Sequence, residues 1–224
     1  MTRHALVVRG GWEGHVPTEA TDLFIPGLTE AGFDVTVADD LDVYTDADLL
    51  AATDLVVQCW TRGTLTERQC AGLVSAVEAG TGFAGWHGGV VAAFANSDYH
   101  RMVGGLFLCH PDDFVEYDVV IDPDRAGHPI VAGLDGFTIR TEQYWMLTDS
   151  LNDTLATTTF APADGRPHAV PVPMPVVWTR RWGAGKIFFS ALGHDLAELT
   201  HPTVRTLTLR GLLWASRAGS GAGE

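Results

Sequence analysis

The chain has 224 residues, of which 46% are hydrophobic and 19% charged, and it carries a formal net charge of −14. That size suits one α/β domain whose core needs neither a disulfide nor a metal to hold it together. Lys and Arg together number 14 against 28 Asp and Glu, and Lys186 is the single lysine; with no basic cluster, a duplex-binding face and a polybasic membrane patch are both excluded.

Taken in chain order, "ALVVRGG" is a short apolar run ending in glycines, as a buried parallel strand does. The start, "MTRHALVVRGG", has no apolar core of a signal peptide, and no segment is long enough to span a membrane, so a cytoplasmic protein is expected. In "TEATDLFIPGLTEAGF", Leu23, Phe24, Leu28 and Ala31 fall at helical spacing, with Gly32 as the residue past the end and Pro26 as a potential kink. "FDVTVADD" reads as a second strand, "ADLLAATD" as a short helix and "DLVVQCW" as a third strand. Thr66 and Gln69 make a capping box for a helix that closes on Gly80. "TGFAGW" is then a fourth strand, which delivers His87.

Four strand–helix alternations predict a parallel sheet with helices on both faces. Past residue 104 the rhythm changes. "FVEYDVVI" and "FTIRTEQYWM" read as strands, and "PVVWTRRWGAGKIFFSAL" as a hairpin around Gly183-Ala184-Gly185. "THPTVRTLTLRGLLWASR" is a closing helix with Leu207, Leu209, Leu212, Leu213 and Trp214 on its apolar face. Residues 1–217 are expected to form a single domain and "AGSGAGE", 218–224, a flexible tail. Cys59, Cys70 and Cys109 share no metal-type spacing and read as free thiols of a reducing compartment. The aromatic hairpin around Trp178 and Trp182 can pair across a homo-oligomer or fold back on its own sheet.

"GFAGWHGGVV" has the layout of a nucleophile elbow, a sharp strand-to-helix turn that presents one side chain, and here that side chain is His87. A single histidine at a strand end is usually a hydrogen-bonded loop residue. Here, however, His15 follows the first strand, His87 the fourth and His194 the last, and ligands of open α/β sheets bind outside the carboxyl ends of strands. His110, in "FLCHPDDF", lies in a loop that can fold over the same rim. His15, His87, His110 and His194 are therefore candidate metal ligands, and His87, Glu142 and His194 candidate acid–base groups. Trp12, Tyr144, Trp145 and Asp195 stand beside these positions as candidate substrate contacts, the tryptophans by stacking on a sugar ring.

"VVRGGWEGHVP", "GFAGWHGG", "GGLFLCHP", "TEQYW" and "PVVWTRRWGAGKIFFSALGHD", in that order, resemble the ThuA-like (trehalose-utilisation) proteins over about residues 3 to 216. These are a branch of the class I glutamine amidotransferase-like superfamily. The resemblance implies a flavodoxin-like, mostly parallel α/β fold in which glutaminases carry the nucleophilic cysteine at the elbow. Here His87 occupies that position, and the late His-x-Glu motif corresponds roughly to His194-Asp195, so glutaminase chemistry, which needs a thiolate, is rejected. What the resemblance implies instead is carbohydrate metabolism, including routes through 3-keto sugars, and a divalent metal of the zinc type. His15, His87, His110, Glu142 and His194 are the positions that match. The expected activity is metal-assisted lyase, hydrolase or isomerase chemistry on a sugar or 3-keto glycoside. The alternative is a non-enzymatic metabolite- or partner-binding domain on the same scaffold.

Overall fold

The computed structural model describes residues 2–164 and 166–217; the expected tail, 218–224, lies outside the described residues. Strand β1 (Arg3–Gly11) buries Ala5, Leu6, Val7 and Val8, as a strand covered on both faces must. The single helix expected next is two, α1 (Pro17–Asp22) and α2 (Ile25–Glu30). The chain breaks at Leu23-Phe24, which places Pro26 in the first turn of α2, where its missing N–H is not needed. Strand β2 (Phe33–Ala38) follows, then α3 (Ala47–Ala52), capped by the Asp46 carboxylate, and β3 (Leu55–Thr61). Helix α4 (Glu67–Glu78) opens on the capping box: Gln69 N–H donates to Thr66 Oγ1 at 3.2 Å and Thr66 N–H to Gln69 Oε1 at 2.8 Å. Strand β4 (Gly82–Trp86) is wholly buried and turns at His87 into α5 (Gly88–Val91); α6 (Ser97–Val103) follows.

The second half supplies β5 (Gly105–Cys109), β6 (Phe114–Ile121), β7 (Phe137–Glu142), β8 (Trp145–Thr148), β9 (Asp153–Phe160), β10 (Val172–Trp182) and β11 (Gly185–Ser190), then α7 (Leu196–Leu199) and α8 (Pro202–Ala215). Nine strands share one sheet in the order β2-β1-β3-β4-β11-β10-β9-β6-β7, and β5 pairs with β8 in a separate ribbon. The five strands from β2 to β11 run parallel, and every pairing beyond β11 is antiparallel. Strand β9 was not expected from its Thr-rich sequence, "DTLATTTF". β-Branched threonines suit a pleated, half-buried surface, and tertiary pairing with β10 decides the matter. The run "FTIRTEQYWM", expected as one strand, is two, because the chain leaves the main sheet at Gln143-Tyr144. There Gln143 Nε2 donates to Thr158 Oγ1 at 2.8 Å, while the Tyr144 hydroxyl lies 2.7 Å from His87 Nε2.

One irregularity positions the candidate site. Strand β6 pairs with β9 only at Val120 and Ile121, then diverges from it. It carries β7 along through the full register from Val119↔Phe137 to Phe114↔Glu142. The Phe114–Glu142 end of that hairpin therefore leaves the sheet and reaches the rim above β4 and β11.

Candidate metal centre

Among the described residues, three non-glycine positions have positive φ: Val16 (42°), Arg62 (59°) and His87 (50°). Arg62 and His87 directly follow the carboxyl ends of β3 and β4, and Val16 lies in the loop after β1, next to His15. Strain of this kind collects where surrounding structure over-determines the backbone, commonly at functional sites. At His87, with ψ −145°, the elbow geometry is present. His87 N–H donates to Ser190 O at 2.7 Å, and the His87 carbonyl accepts from Val91 N–H at 3.2 Å. Small neighbours permit the turn: a Cβ on Gly85 would lie 2.3 Å from the Gln58 carbonyl oxygen, and one on Gly88 2.4 Å from His15 Cε1. A direct consequence is that His87→Gly will be more stable than His87→Ala, by roughly 1 kcal/mol in chemical denaturation of metal-stripped protein. Both variants lose the imidazole, so the difference isolates the backbone; equal midpoints would show an unstrained elbow.

His15, His87, His194 and Glu142 each bring one ligand-capable atom into a group in which all four lie within 4.8 Å of one another. His15 and His87 are buried, at 6% and 1% exposure. The three imidazole rings meet edge to face, with centroids 4.8 to 5.3 Å apart. Glu142 Oε2 lies 3.1 Å from His87 Nε2 and 3.3 Å from His194 Nδ1. The His194 contact is close but not aligned as a hydrogen bond, and His194 Nδ1 is a buried nitrogen without a hydrogen-bond partner.

Neighbouring groups fix the lone pairs. His87 Nδ1 is 2.7 Å from the Ala191 carbonyl, which only accepts, so Nδ1 carries a proton and Nε2 is the nitrogen turned to the cluster. His15 Nδ1 is held by Thr61 Oγ1 at 2.8 Å. Burial lowers His15 to about 3, with help from the charges of His87 and His194, so its imidazole is neutral at physiological pH. Burial pushes the Glu142 carboxyl up, but its polar contacts with His194 and His87 and their charges outweigh that and hold it below the ordinary carboxylate range. The contact with Glu142 raises His194 against the opposing effect of burial. Burial also raises the Tyr144 phenol, which stays protonated. A carbonyl or hydroxyl orienting each ligand histidine is the usual outer layer of a metal site. Three imidazoles and one carboxylate, with an orphaned nitrogen among them, fit a divalent ion.

The other residues singled out by sequence fall in different places. His110 stands outside the group of four, with its side chain 34% exposed. Its Nδ1 donates to the Asp112 carbonyl at 2.9 Å and its Nε2 lies 3.4 Å from Glu142 Oε1, so it flanks the cluster from the mouth. Trp12 packs edge to face on His15, but Arg62 lies over its ring, 4.3 Å from the centroid. Trp145 packs against Phe160 and His168 and makes no aromatic contact with the clustered histidines. The Asp195 carboxylate is engaged as the cap of α7, accepting from Glu198 N–H at 2.9 Å. Sequence reasoning missed Glu198, a buried carboxylate that accepts from His194 N–H at 2.7 Å and from Thr141 Oγ1 at 2.9 Å. It thereby ties the His194 loop to the residue preceding Glu142. Thr61 was equally missed, although the rule that ligands sit past strand carboxyl ends points to it.

Fold and rim together define an α/β protein with a mostly parallel sheet whose strand-to-helix elbow carries a histidine within a His₃Glu cluster. The chain belongs to the ThuA family, described as trehalose utilisation, which it matches over residues 4–215. That membership places it in carbohydrate metabolism. A crystal structure of a ThuA-like protein from Bacteroides uniformis ATCC 8492 is 18% identical, with a TM-score of 0.73 over 95% of this chain and 91% of that one. A second, from Parabacteroides merdae ATCC 43184, is 19% identical, with a TM-score of 0.72 over 96% and 90%. A cytoplasmic protein from Salmonella typhimurium LT2 is 14% identical, with a TM-score of 0.67 over 96% and 100%. These likenesses establish the fold. No curated protein matches the sequence. Among the described residues, no helix is long and apolar enough to cross a membrane.

Proposed function

We propose that the protein is a metal-dependent enzyme that transforms a sugar or 3-keto glycoside by lyase, hydrolase or isomerase chemistry. The observation that carries this reading is the convergence of His15, His87, His194 and Glu142 on one point of the rim. In a binding relic, each histidine would be satisfied separately by backbone groups rather than brought together with an orphaned nitrogen. Those four residues would hold the ion, for which zinc is the best match to the donor set. When bound, such an ion supplies Lewis acidity toward a sugar carbonyl and its neighbouring hydroxyl.

The chain's own groups handle the protons. His110 commits its Nδ1–H to Asp112 and keeps a lone pair on Nε2 at the mouth of the site, which suits the base that takes the proton next to a keto group. Handing that proton to the glycosidic oxygen as it departs gives elimination; returning it to the adjacent carbon gives isomerisation. The protonated Tyr144 phenol, beside His87, donates to substrate oxygen at the floor. A three-part experiment tests this: metal analysis of untagged protein, assay on 3-keto glucosides, and the same assay on His110→Gln. The expected result is about one metal per chain and turnover that falls roughly 10² to 10⁴-fold in the variant with metal content unchanged. Protein that carries stoichiometric metal but leaves every 3-keto glucoside untouched defeats the substrate assignment, and protein that takes up no metal defeats the metal assignment.

A further inference from the structure

Four surface arginines are answered by carboxylates, Arg9 by Asp22 and Asp39, Arg101 by Asp98, Arg125 by Asp153 and Arg166 by Asp112, whereas Arg68, Arg140, Arg181 and Arg205 have no such partner among the described residues. Arg62 also has none there, but unlike those it stands beside the cluster, over the Trp12 ring that meets His15. Its backbone is nevertheless held in the left-handed region, at φ 59°, by Arg62 N–H donating to Ala92 O at 3.0 Å and Gly63 N–H to Ala93 O at 2.7 Å. Glycine or asparagine would take that conformation with less strain, yet a long cationic side chain occupies it. The guanidinium is placed over Trp12, 4.3 Å from the ring centroid, and Trp12 in turn meets His15 at 4.8 Å. Trp12 is wedged in place, since a Cβ on Gly14 would come within 2.3 Å of its ring.

We propose that Arg62 is a substrate-binding residue and that the rim takes a sugar bearing an anionic oxygen group, a phosphate or a carboxylate. The inference names the substrate class of the centre proposed above and rests on that reading. A guanidinium lying on an indole loses little freedom on binding and keeps its edge N–H donors in one plane, the arrangement that grips two oxygens of such a group. In a chain with a net charge of −14, a cation beside the cluster that no carboxylate neutralises also draws an anion to the mouth. The ring of Trp12 expected to stack on sugar is, on this reading, the support for the arginine.

Calorimetric titration of the full-length untagged protein, zinc-loaded and zinc-stripped, with glucose 6-phosphate, gluconate and glucose tests the proposal. At least one anion should bind ten times or more tighter than glucose, and whichever does so identifies phosphate or carboxylate as the group read. Arg62→Asn and Arg62→Gly, both suited to the backbone, should lose that preference, while Arg101→Asn keeps it. Anions that bind no tighter than glucose, or a preference that survives in both Arg62 variants, overturn the proposal. A preference that depends on Arg62 in protein that takes up no zinc sustains it while removing the metal reading. Stoichiometric zinc with no anion preference does the reverse.

Discussion

His87→Ala protein will come through purification without stoichiometric metal, and its affinity for zinc will fall by at least about hundredfold, beyond the 10 to 100-fold cost of disturbing an outer-layer partner. The expectation follows from how His87 is held. Its Nδ1–H is committed to Ala191 O, so Nε2 is the one nitrogen the ring can offer a metal, and it lies beside Glu142. Alanine removes the donor, and the three remaining groups cannot rearrange to replace it: His15 is fixed through Thr61, and the backbone of His194 is fixed through Glu198. Glu142→Gln should behave similarly, since it removes the single carboxylate of the group while keeping its shape. Competition with a chelator of known affinity measures both variants. Wild-type protein should gain thermal stability with added zinc, as any ligand of the native state confers, and the variants should not. Unchanged zinc affinity in His87→Ala would remove the elbow histidine from the site.

Trp178→Ala will cost about 3 to 5 kcal/mol, the range for emptying a buried aromatic site. Trp178 is fully buried, packs on Phe189 with centroids 4.2 Å apart and donates from its indole nitrogen to Val103 O at 3.0 Å. The Val103 carbonyl lies at the end of α6, and Gly105, against which the ring also rests, opens the strand that leads to His110. Alanine therefore leaves a cavity and an unpaired carbonyl together. Trp178→Phe should recover most of the packing but not the hydrogen bond, and denaturant midpoints of the two variants separate the contributions. A loss below about 1 kcal/mol for the alanine variant would mean that the site collapses around the missing ring.

Much of the parallel half was legible because its signals are local. Apolar runs ended in glycines, a capping box marked α4, and strand-end positions put His15, His87 and His194 on one rim. The carboxylate of the cluster was harder to place. Glu142 lies on β7, at the far end of the strand order from β1, and only the divergence of β6 from β9 brings it to the histidines. No periodicity announces such a departure, because it depends on which pairs fail to form. Strand β9 hid behind its threonines for a related reason: its neighbours, not its composition, make it a strand. Glu198 and Ala191 were invisible because they act through backbone groups or as hidden supports, and a sequence pattern reports side-chain type rather than its partner; Thr61, at a strand end, carried a signal but no partner. Arg62 looked like an ordinary surface charge until its φ angle and its seat over Trp12 were known.

The short junction between β6 and β9 also bears on how the protein reaches its working state. His15 and His87 belong to the half that comes first along the chain, whereas Glu142 and His194 belong to strands and loops far later in the sequence. Contacts of such long separation are entropically costly to close, so the centre needs both the late parallel strand β11 and the β6–β7 hairpin in place. Even the elbow is incomplete without the late strand β11, since Ser190 holds its backbone and Ala191 its ring. The loosely tethered hairpin is then the last wall raised, and assembly of the site becomes a built-in check that the whole domain has folded.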